Sequence, residues 1–379
     1  MSGPRADEIT DSAGSSAPEI TGRVLQAHHR RSALLLIVAA VVCVLVALIS
    51  AGIGPAYIQL PDVVRIIGHH LIAAPGERTW SVTADTIVWV TRVPRVIMGM
   101  ATGATLAMAG AALQAMVRNP LADPYILGVN SGASTGAAIA IVVFAGSGGG
   151  ALLLSGSAFL GALGATLLVL AIAGSRSEGG PMRLIMAGMA VGYALSAATN
   201  FLIFTSDSAE SSRSVMFWML GSLANVHWST AMLSSAVGLV VLVLLGAQAS
   251  TLDVLASGDE AALTLGVTPQ TARIVLMLVV SLAVGVVVAG AGSIGFVGLV
   301  IPHLARALVG SRHRVLIPAS ALLGAAFLVL ADVGARMLFA PQEMPIGVIT
   351  GLVGAPFLLA LVHQKKTTRR SAMVRRATH

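Results

Sequence analysis

Long apolar runs organise this chain. After a polar opening they cover residues 32–61, 96–117, 124–175, 184–206, 214–252, 274–305, 315–339 and 346–362. About 20 apolar residues cross the hydrocarbon core of a bilayer as a helix. The run 124–175 is too long for one crossing and breaks at Gly146-Ser147-Gly148-Gly149-Gly150. The run 214–252 divides into a short helix around Trp218, a turn and a span over 229–247. The run 274–305 divides in its glycine-rich part, 290–298, into a full span and a shorter one. The count reaches ten spans. Residues 1–31 are read as a disordered cytoplasmic tail, because a polar, Pro/Gly/Ser-rich opening buries too little apolar surface to offset ordering. Residues 32–363 form the transmembrane domain and 364–379 a basic cytoplasmic tail.

Composition sharpens this reading. The 379 residues are 56% hydrophobic and 10% charged, with mean hydropathy +0.88, whereas a soluble domain carries about 25% charged residues. Once ten spans are assigned, no length remains for a large soluble catalytic domain. The net charge of +7 is read as orienting the chain in a membrane, not as binding nucleic acid. Ten spans put both termini on one side. With that side cytoplasmic, seventeen of the 23 basic residues fall on it and six fall opposite, the expected positive-inside bias. Lys365 and Lys366 are the two lysines, both near the C-terminus. A phosphate-binding P-loop needs a lysine behind its glycines, so the chain carries no such ATPase of its own. The single cysteine, Cys43, excludes an internal disulfide. Arg30-Arg31 before an apolar run has the look of an export signal, but that run is of full spanning length without a clear small-x-small cleavage site, so it is read as an uncleaved first span.

Several motifs stand out. Arg118-Asn119-Pro120-Leu121-Ala122-Asp123-Pro124 places two prolines four apart, which forbids continuous helix and fixes a turn; this is a helix stop and start or, alternatively, a contact surface. Glycine pairs four apart, among them Gly99/Gly103, Gly128/Gly132/Gly136, Gly188/Gly192 and Gly347/Gly351, suit close helix packing in lipid. Ser257-Gly258-Asp259-Glu260 has the form of a capping box, Ser257 as cap and Glu260 reaching back. With Gly266 at a favoured C′ position, it predicts a helix over 258–265 bearing Leu263 and Leu265. Arg336 follows Asp332 by four and suits a helical ion pair; Arg92 and Arg95 suit interfacial arginines. Gly290-Ala291-Gly292-Ser293-Ile294-Gly295 matches a nucleotide-binding pattern formally, yet it follows a span instead of a strand and reads as an interhelical turn. His28-His29 and His69-His70 lack a third ligand, and His303 reads as structural. No metal, cofactor or catalytic constellation is evident.

Arg92-Val93-Pro94-Arg95, residues 103–114, the 118–124 loop, and Leu127-Gly128-Val129-Asn130-Ser131-Gly132-Ala133 run in one register. Phe217-Trp218-Met219-Leu220-Gly221-Ser222-Leu223, Gly295-Phe296-Val297-Gly298-Leu299-Val300-Ile301-Pro302-His303 and Glu343-Met344-Pro345-Ile346-Gly347-Val348-Ile349-Thr350 come next in the same order. By these motifs the chain resembles the FecCD family, the permease subunits of bacterial importers for iron–siderophore complexes, haem and cobalamin. The resemblance runs from about Arg92 to Val362. It implies an all-α integral membrane protein of about ten helices, a type II importer permease, pairing with a second permease subunit (identical or a paralogue), two ATP-binding subunits and an extracytoplasmic substrate-binding protein. By the same resemblance, Ser257, Gly258, Asp259, Glu260, Leu263, Leu265 and Gly266 form the segment that contacts the ATPase. Arg92, Arg95 and Arg336 meet glutamates of the binding protein. Arg118, Asn119, Pro120, Asp123, Pro124, Gly295, Gly298, Pro302, Pro345 and Gly347 form structural or gating motifs. The implied cargo is a ferric siderophore or similar chelate, with haem and cobalamin as alternatives. An ion-coupled secondary transporter is the reading of another class. Such transporters need buried carboxylates or ion sites at broken helices in mid-membrane, and Asp332 is the one acidic candidate.

Overall fold

A computed structural model describes residues 17–144, 150–174 and 180–377. All regular structure among these residues is helical. The chain opens with α1 (Ala17–Gly52) and α2 (Leu60–Ile72). The short α3 (Val82–Asp85) passes through a π-helical stretch, Thr86–Arg92, straight into α4 (Val93–Met116). A 3-10 turn, Pro124–Leu127, leads to α5 (Val129–Ala138), which a π-helical stretch prolongs to Val143. Then come α6 (Gly150–Gly174), α7 (Gly180–Phe204), α8 (Ala209–Met219) and α9 (Trp228–Ala247). Two short helices, α10 (Ala249–Ser257) and α11 (Asp259–Thr264), precede α12 (Pro269–Ala291), α13 (Val297–Val309), α14 (His313–Met337) and α15 (Ile346–Ala377). Seven helices are long and apolar enough to cross a membrane, and three shorter apolar helices, Val129–Val143, Val297–Val309 and Ile346–Ala360, accompany them. Together they match the ten spans expected from hydropathy.

The helix α4 is the axis of the fold. Most of its span is buried, whereas α1 leaves nearly all of its apolar surface outward, as a helix at a lipid boundary does. Around α4 pack α14, α9, α12 and α13. Its small residues make that approach possible. A Cβ on Gly103 would overlap the backbone of Gly324 on α14, and one on Gly110 would overlap that of Gly298 on α13. In lipid, where burying apolar surface from water does not drive association, such backbone contact is a main source of packing energy.

The bundle has two distinct ends. The upper end gathers the C-termini of α1 and α14 and the N-terminus of α4. The lower end gathers the C-terminus of α4, the N-termini of α12 and α14, and the helices α10 and α11. Between them α13 starts midway, because Gly298 at its first turn meets Gly110, well inside α4. The 292–296 turn and the 118–128 loop therefore reach into the bundle.

Two expectations change. The first helix starts at Ala17 and α15 continues to Ala377, although 1–31 and 364–379 were read as tails. A helix already nucleated in its apolar part extends at low cost, since each added residue brings a hydrogen bond without a new nucleus. The helices α2 and α10 were not anticipated. The break at 146–150 falls mostly on residues 145–149, and 1–16 and 175–179 likewise lie outside the described residues.

Candidate functional site

The middle of the bundle holds two interrupted backbones joined by side chains. Where α4 ends, Arg118 takes φ 52 and the chain turns up into the bundle. Asn119 accepts from the Leu121 amide through Oδ1 (3.0 Å), and Asp123 caps the 3-10 turn by accepting from the Tyr125 amide (2.9 Å). Both are short Asx-type contacts that replace helical bonds lost at the prolines. Tyr125 then reaches across: its hydroxyl donates to the Ile294 carbonyl (3.1 Å) and accepts from the Ile294 amide (3.0 Å). Pro124 packs on Gly298. Gln114 donates toward the carbonyls of Ala122, Gly298 and Leu299 at 3.3–3.4 Å and accepts from Arg306 (3.1 Å). Irregular backbone at membrane depth must find its hydrogen bonds within the protein, and these side chains supply them. The glycine-rich 290–295 stretch is the interhelical turn that was expected. Beside it opens a pocket of about 430 Å3 between Asp123, Tyr125, Tyr193, Ser196, Gly295 and Phe296. Pro302 is buried inside α13. Pro345 precedes α15, where the Gly347 amide donates to the Leu220 carbonyl (3.0 Å).

The lower end carries α11. Leu263 and Leu265 are 62% and 67% exposed, and Glu260 points outward. Gly266 closes the helix at φ 77, as expected. The capping box does not form. Ser257 belongs to the last turn of α10 and its hydroxyl donates to the Asp253 carbonyl (3.1 Å), while Gly258 caps α11 at φ 121, a conformation suited to glycine alone. Asp259 instead looks inward to Arg273 on α12, accepting at Oδ2 from its NH1 (3.0 Å), with Arg118 3.8 Å away. The hydrogen bonds from Arg273 hold the Asp259 carboxyl below the ordinary aspartate range. Asp253 accepts from the His313 amide (3.0 Å) and so caps α14.

The upper end departs most from expectation. Arg92, Arg95 and Arg336, read as cations offered to a binding protein, are only 5%, 5% and 3% exposed. Arg92 donates to the carbonyls of Ala51 (3.0 Å) and Gly52 (2.8 Å) at the end of α1 and to that of Ala56 in the loop beyond it. Arg95 bridges Asp332 (2.9 Å) and Glu343 (2.9 Å). Arg336 pairs with Asp332 (3.1 Å), as its spacing suggested, and also donates to Ser50 Oγ (2.8 Å) and the Ile53 carbonyl (2.8 Å). The physical reason is that the carbonyls ending α1 and the Asp332 carboxylate are deprived of water at this depth, and the arginines turn to them. Next to this cluster His70 stacks on Trp89 (4.4 Å) and sits 3.0 Å from Asp85, which gives His70 a packing role.

Among the described residues no group of three or more His, Cys, Asp or Glu side chains is placed to hold a metal ion. Asp332 is paired twice over, unlike the free carboxylate an ion-coupled carrier would need. Helices broken inside the bundle beside a pocket with one carboxylate in its wall, and a short helix that displays leucine at one end, suit a membrane permease.

Comparison with known proteins gives the same class. The sequence profile of the FecCD transport family matches residues 17–364. A cobalamin import system permease protein of Halobacterium salinarum is 38% identical over 360 residues, covering 86% of this chain and 95% of the relative. A hemin transport system permease protein of Yersinia pestis is 37% identical, covering 76% and 88%. A solved structure of an inward-facing metal-chelate type ABC transporter superposes with TM-score 0.76 at 31% identity, covering 87% of this chain and 98% of that one. The chain belongs to the FecCD transport family: it is the permease subunit of an ABC importer, a multi-pass membrane protein and not itself an enzyme.

Proposed function

We propose that this permease passes a ferric siderophore, or a chelate of similar size, across the cytoplasmic membrane. ATP is consumed by two separate subunits, and a second permease chain completes the path. The observation that carries the cargo reading is the 430 Å3 pocket at the interrupted helices. Its wall is mostly apolar and aromatic with a few hydroxyls, and Asp123 is its single carboxylate, so it offers many weak contacts and no cluster of metal ligands. A bulky chelate is passed by such a surface instead of being held. Relatives named for iron(3+)-hydroxamate and Fe(3+)-citrate import in Bacillus subtilis share 37% and 38% identity with this chain and relatives named for vitamin B12 import share 40–41%, so the likeness supports chelate import as a class and the experiment below decides the cargo.

In this reading the lower end and both termini are cytoplasmic, in keeping with the basic-residue bias. The ATP-binding subunits press on Leu263, Leu265 and Glu260 of α11. The segment Ser257, Gly258, Asp259 and Gly266 sets its position, and the loop Arg118, Asn119, Pro120, Asp123, Pro124 is the gate it moves against Gly295, Gly298 and Pro302. The binding protein docks on the upper end. There Arg92, Arg95 and Arg336 act through the surface they shape, with Glu343 at the rim, and Pro345 and Gly347 anchor the adjoining loop. The test is growth of a deletion strain on single iron sources, with labelled cobalamin uptake in parallel. Loss of growth on one or more ferric siderophores with cobalamin uptake intact is the expected result. The reverse pattern assigns the cobalamin cargo and overturns this one.

A further inference from the structure

We infer that Arg273 is the positioning residue that carries movement of α11 to the 118–128 loop. This rests on the reading of α11 as the contact for the ATP-binding subunit. A helix of six residues has little rigidity of its own. Pushed from outside, it bends locally unless something fastens it to the bundle. Ala262 seats it on the core, and the closest polar fastening is the Arg273 guanidinium. Arg273, 7% exposed near the start of α12, donates through both terminal nitrogens to Asp259, the first residue of α11, and through Nε to the Met116 carbonyl (2.9 Å).

Met116 is the last residue of α4. Two residues on, Arg118 turns the chain at φ 52, and its guanidinium faces the same Asp259 at 3.8 Å. Beyond it the loop is stiff, through Asn119 onto the Leu121 amide, Asp123 onto the Tyr125 amide, and the Tyr125 hydroxyl onto Ile294. A displacement of Asp259 thus has a continuous polar route to both interrupted backbones beside the pocket. The planar fork matters, because a guanidinium meets a carboxylate and a carbonyl at once in a fixed geometry, and an ammonium does not. Spatial continuity alone does not establish coupling; the experiment must read the loop itself.

The full transporter, with its ATP-binding subunits and binding protein, is placed in lipid nanodiscs. Amide hydrogen exchange over 117–128 is compared with and without a non-hydrolysable ATP analogue. In the unaltered protein the analogue changes exchange there. In Arg273→Gln and Arg273→Lys that change falls about tenfold, within the range of effects along coupling networks, while the ATP-binding subunits remain assembled and hydrolyse ATP. A full response in Arg273→Gln overturns the inference. If that variant does not reach the membrane, Asp259→Asn breaks the same fork from its solvent side and decides the matter in the same way, and Asp259→Glu restores part of the response. Leu263→Asp tests the underlying reading separately. If the ATP-binding subunits still assemble on that variant and still drive the loop, α11 is not their contact and the reading itself fails; loss of assembly there with a full response in Arg273→Gln removes the Arg273 role alone.

Discussion

The two ends of this permease use the same chemistry for opposite purposes. At the upper end Arg95 and Arg336 share the buried Asp332, and Arg92 and Arg336 together collect carbonyls from α1. Three helices and the loop before α15 are tied by contacts that duplicate one another. At the lower end Arg273 also grips an aspartate, but Asp259 is 35% exposed and belongs to a six-residue helix. One constellation is a clamp without freedom; the other is a joint with water on one side. Redundancy and burial decide which, and the arginine–aspartate pairing by itself does not.

The contrast breaks most visibly at Arg95. Arg95→Met leaves Asp332 with Arg336 alone and the part-exposed Glu343 without a partner, a loss near the lower end, about 3 kcal/mol, of what removing one partner from a buried pair costs. Thermal unfolding of the purified permease in detergent should show a large fall in midpoint, much greater than for Asp259→Asn. Equal losses in the two variants would mean that the ends do not differ in kind. Next in size is Leu263→Asp. It touches nothing that holds the bundle together, so stability is expected to stay within about 0.5 kcal/mol, as for surface substitutions generally. Affinity for the ATP-binding subunit should fall by about 2 kcal/mol, the threshold for an interface hot spot, measured by co-purification across a titration of that subunit.

A smaller effect concerns pH. The Asp259 carboxyl lies below its ordinary value because Arg273 donates to it. A group whose pKa is lowered on folding stabilises the structure above its unfolded value, about 3.9 for aspartate, and loses that contribution only as pH falls through the lowered value. ATP-dependent uptake should therefore show no titration of this joint between about pH 8 and about pH 5. A drop over that interval which Asp259→Asn abolishes would show that the carboxylate is not held by the arginine in the working transporter.

Much of this architecture is written into local pattern. The apolar runs, the glycine-rich interruption at 290–298 and the two prolines around 120–124 each act on their own neighbourhood, and each produced the element expected. The fate of the three arginines was not readable, because it depends on residues distant along the chain: Arg95 is 237 residues from Asp332 and 248 from Glu343. An arginine flanking a span looks alike whether it faces solvent or turns inward. The α10 helix was hidden for the opposite reason: Gly246 lies within the last turn of α9, and the break falls on Gln248, a residue that does not itself interrupt helix. The joint at Arg273 had a faint signal, a lone cation followed by the apolar run of α12 and preceded by the acidic pair Asp259-Glu260, but its charge was already accounted for by the orientation of the chain.

The smallest effect tests the local misreading directly. Ser257-Gly258-Asp259-Glu260 has the letters of a capping box, and a capping serine replaced by alanine costs about 1 kcal/mol. In the fold, α10 runs through Ser257, so its hydroxyl turns back to the Asp253 carbonyl (3.1 Å), a bond within a helix that needs no such support. Gly258 takes the cap position at φ 121. Ser257→Ala is accordingly expected to change stability by less than about 0.5 kcal/mol, whereas Gly258→Ala forces a strained backbone at about 1–3 kcal/mol. Thermal unfolding of the two variants side by side separates the cases. A loss at Ser257 as large as that at Gly258 would restore the capping box, free Asp259 from its inward role, and make the lower joint an ordinary helix start.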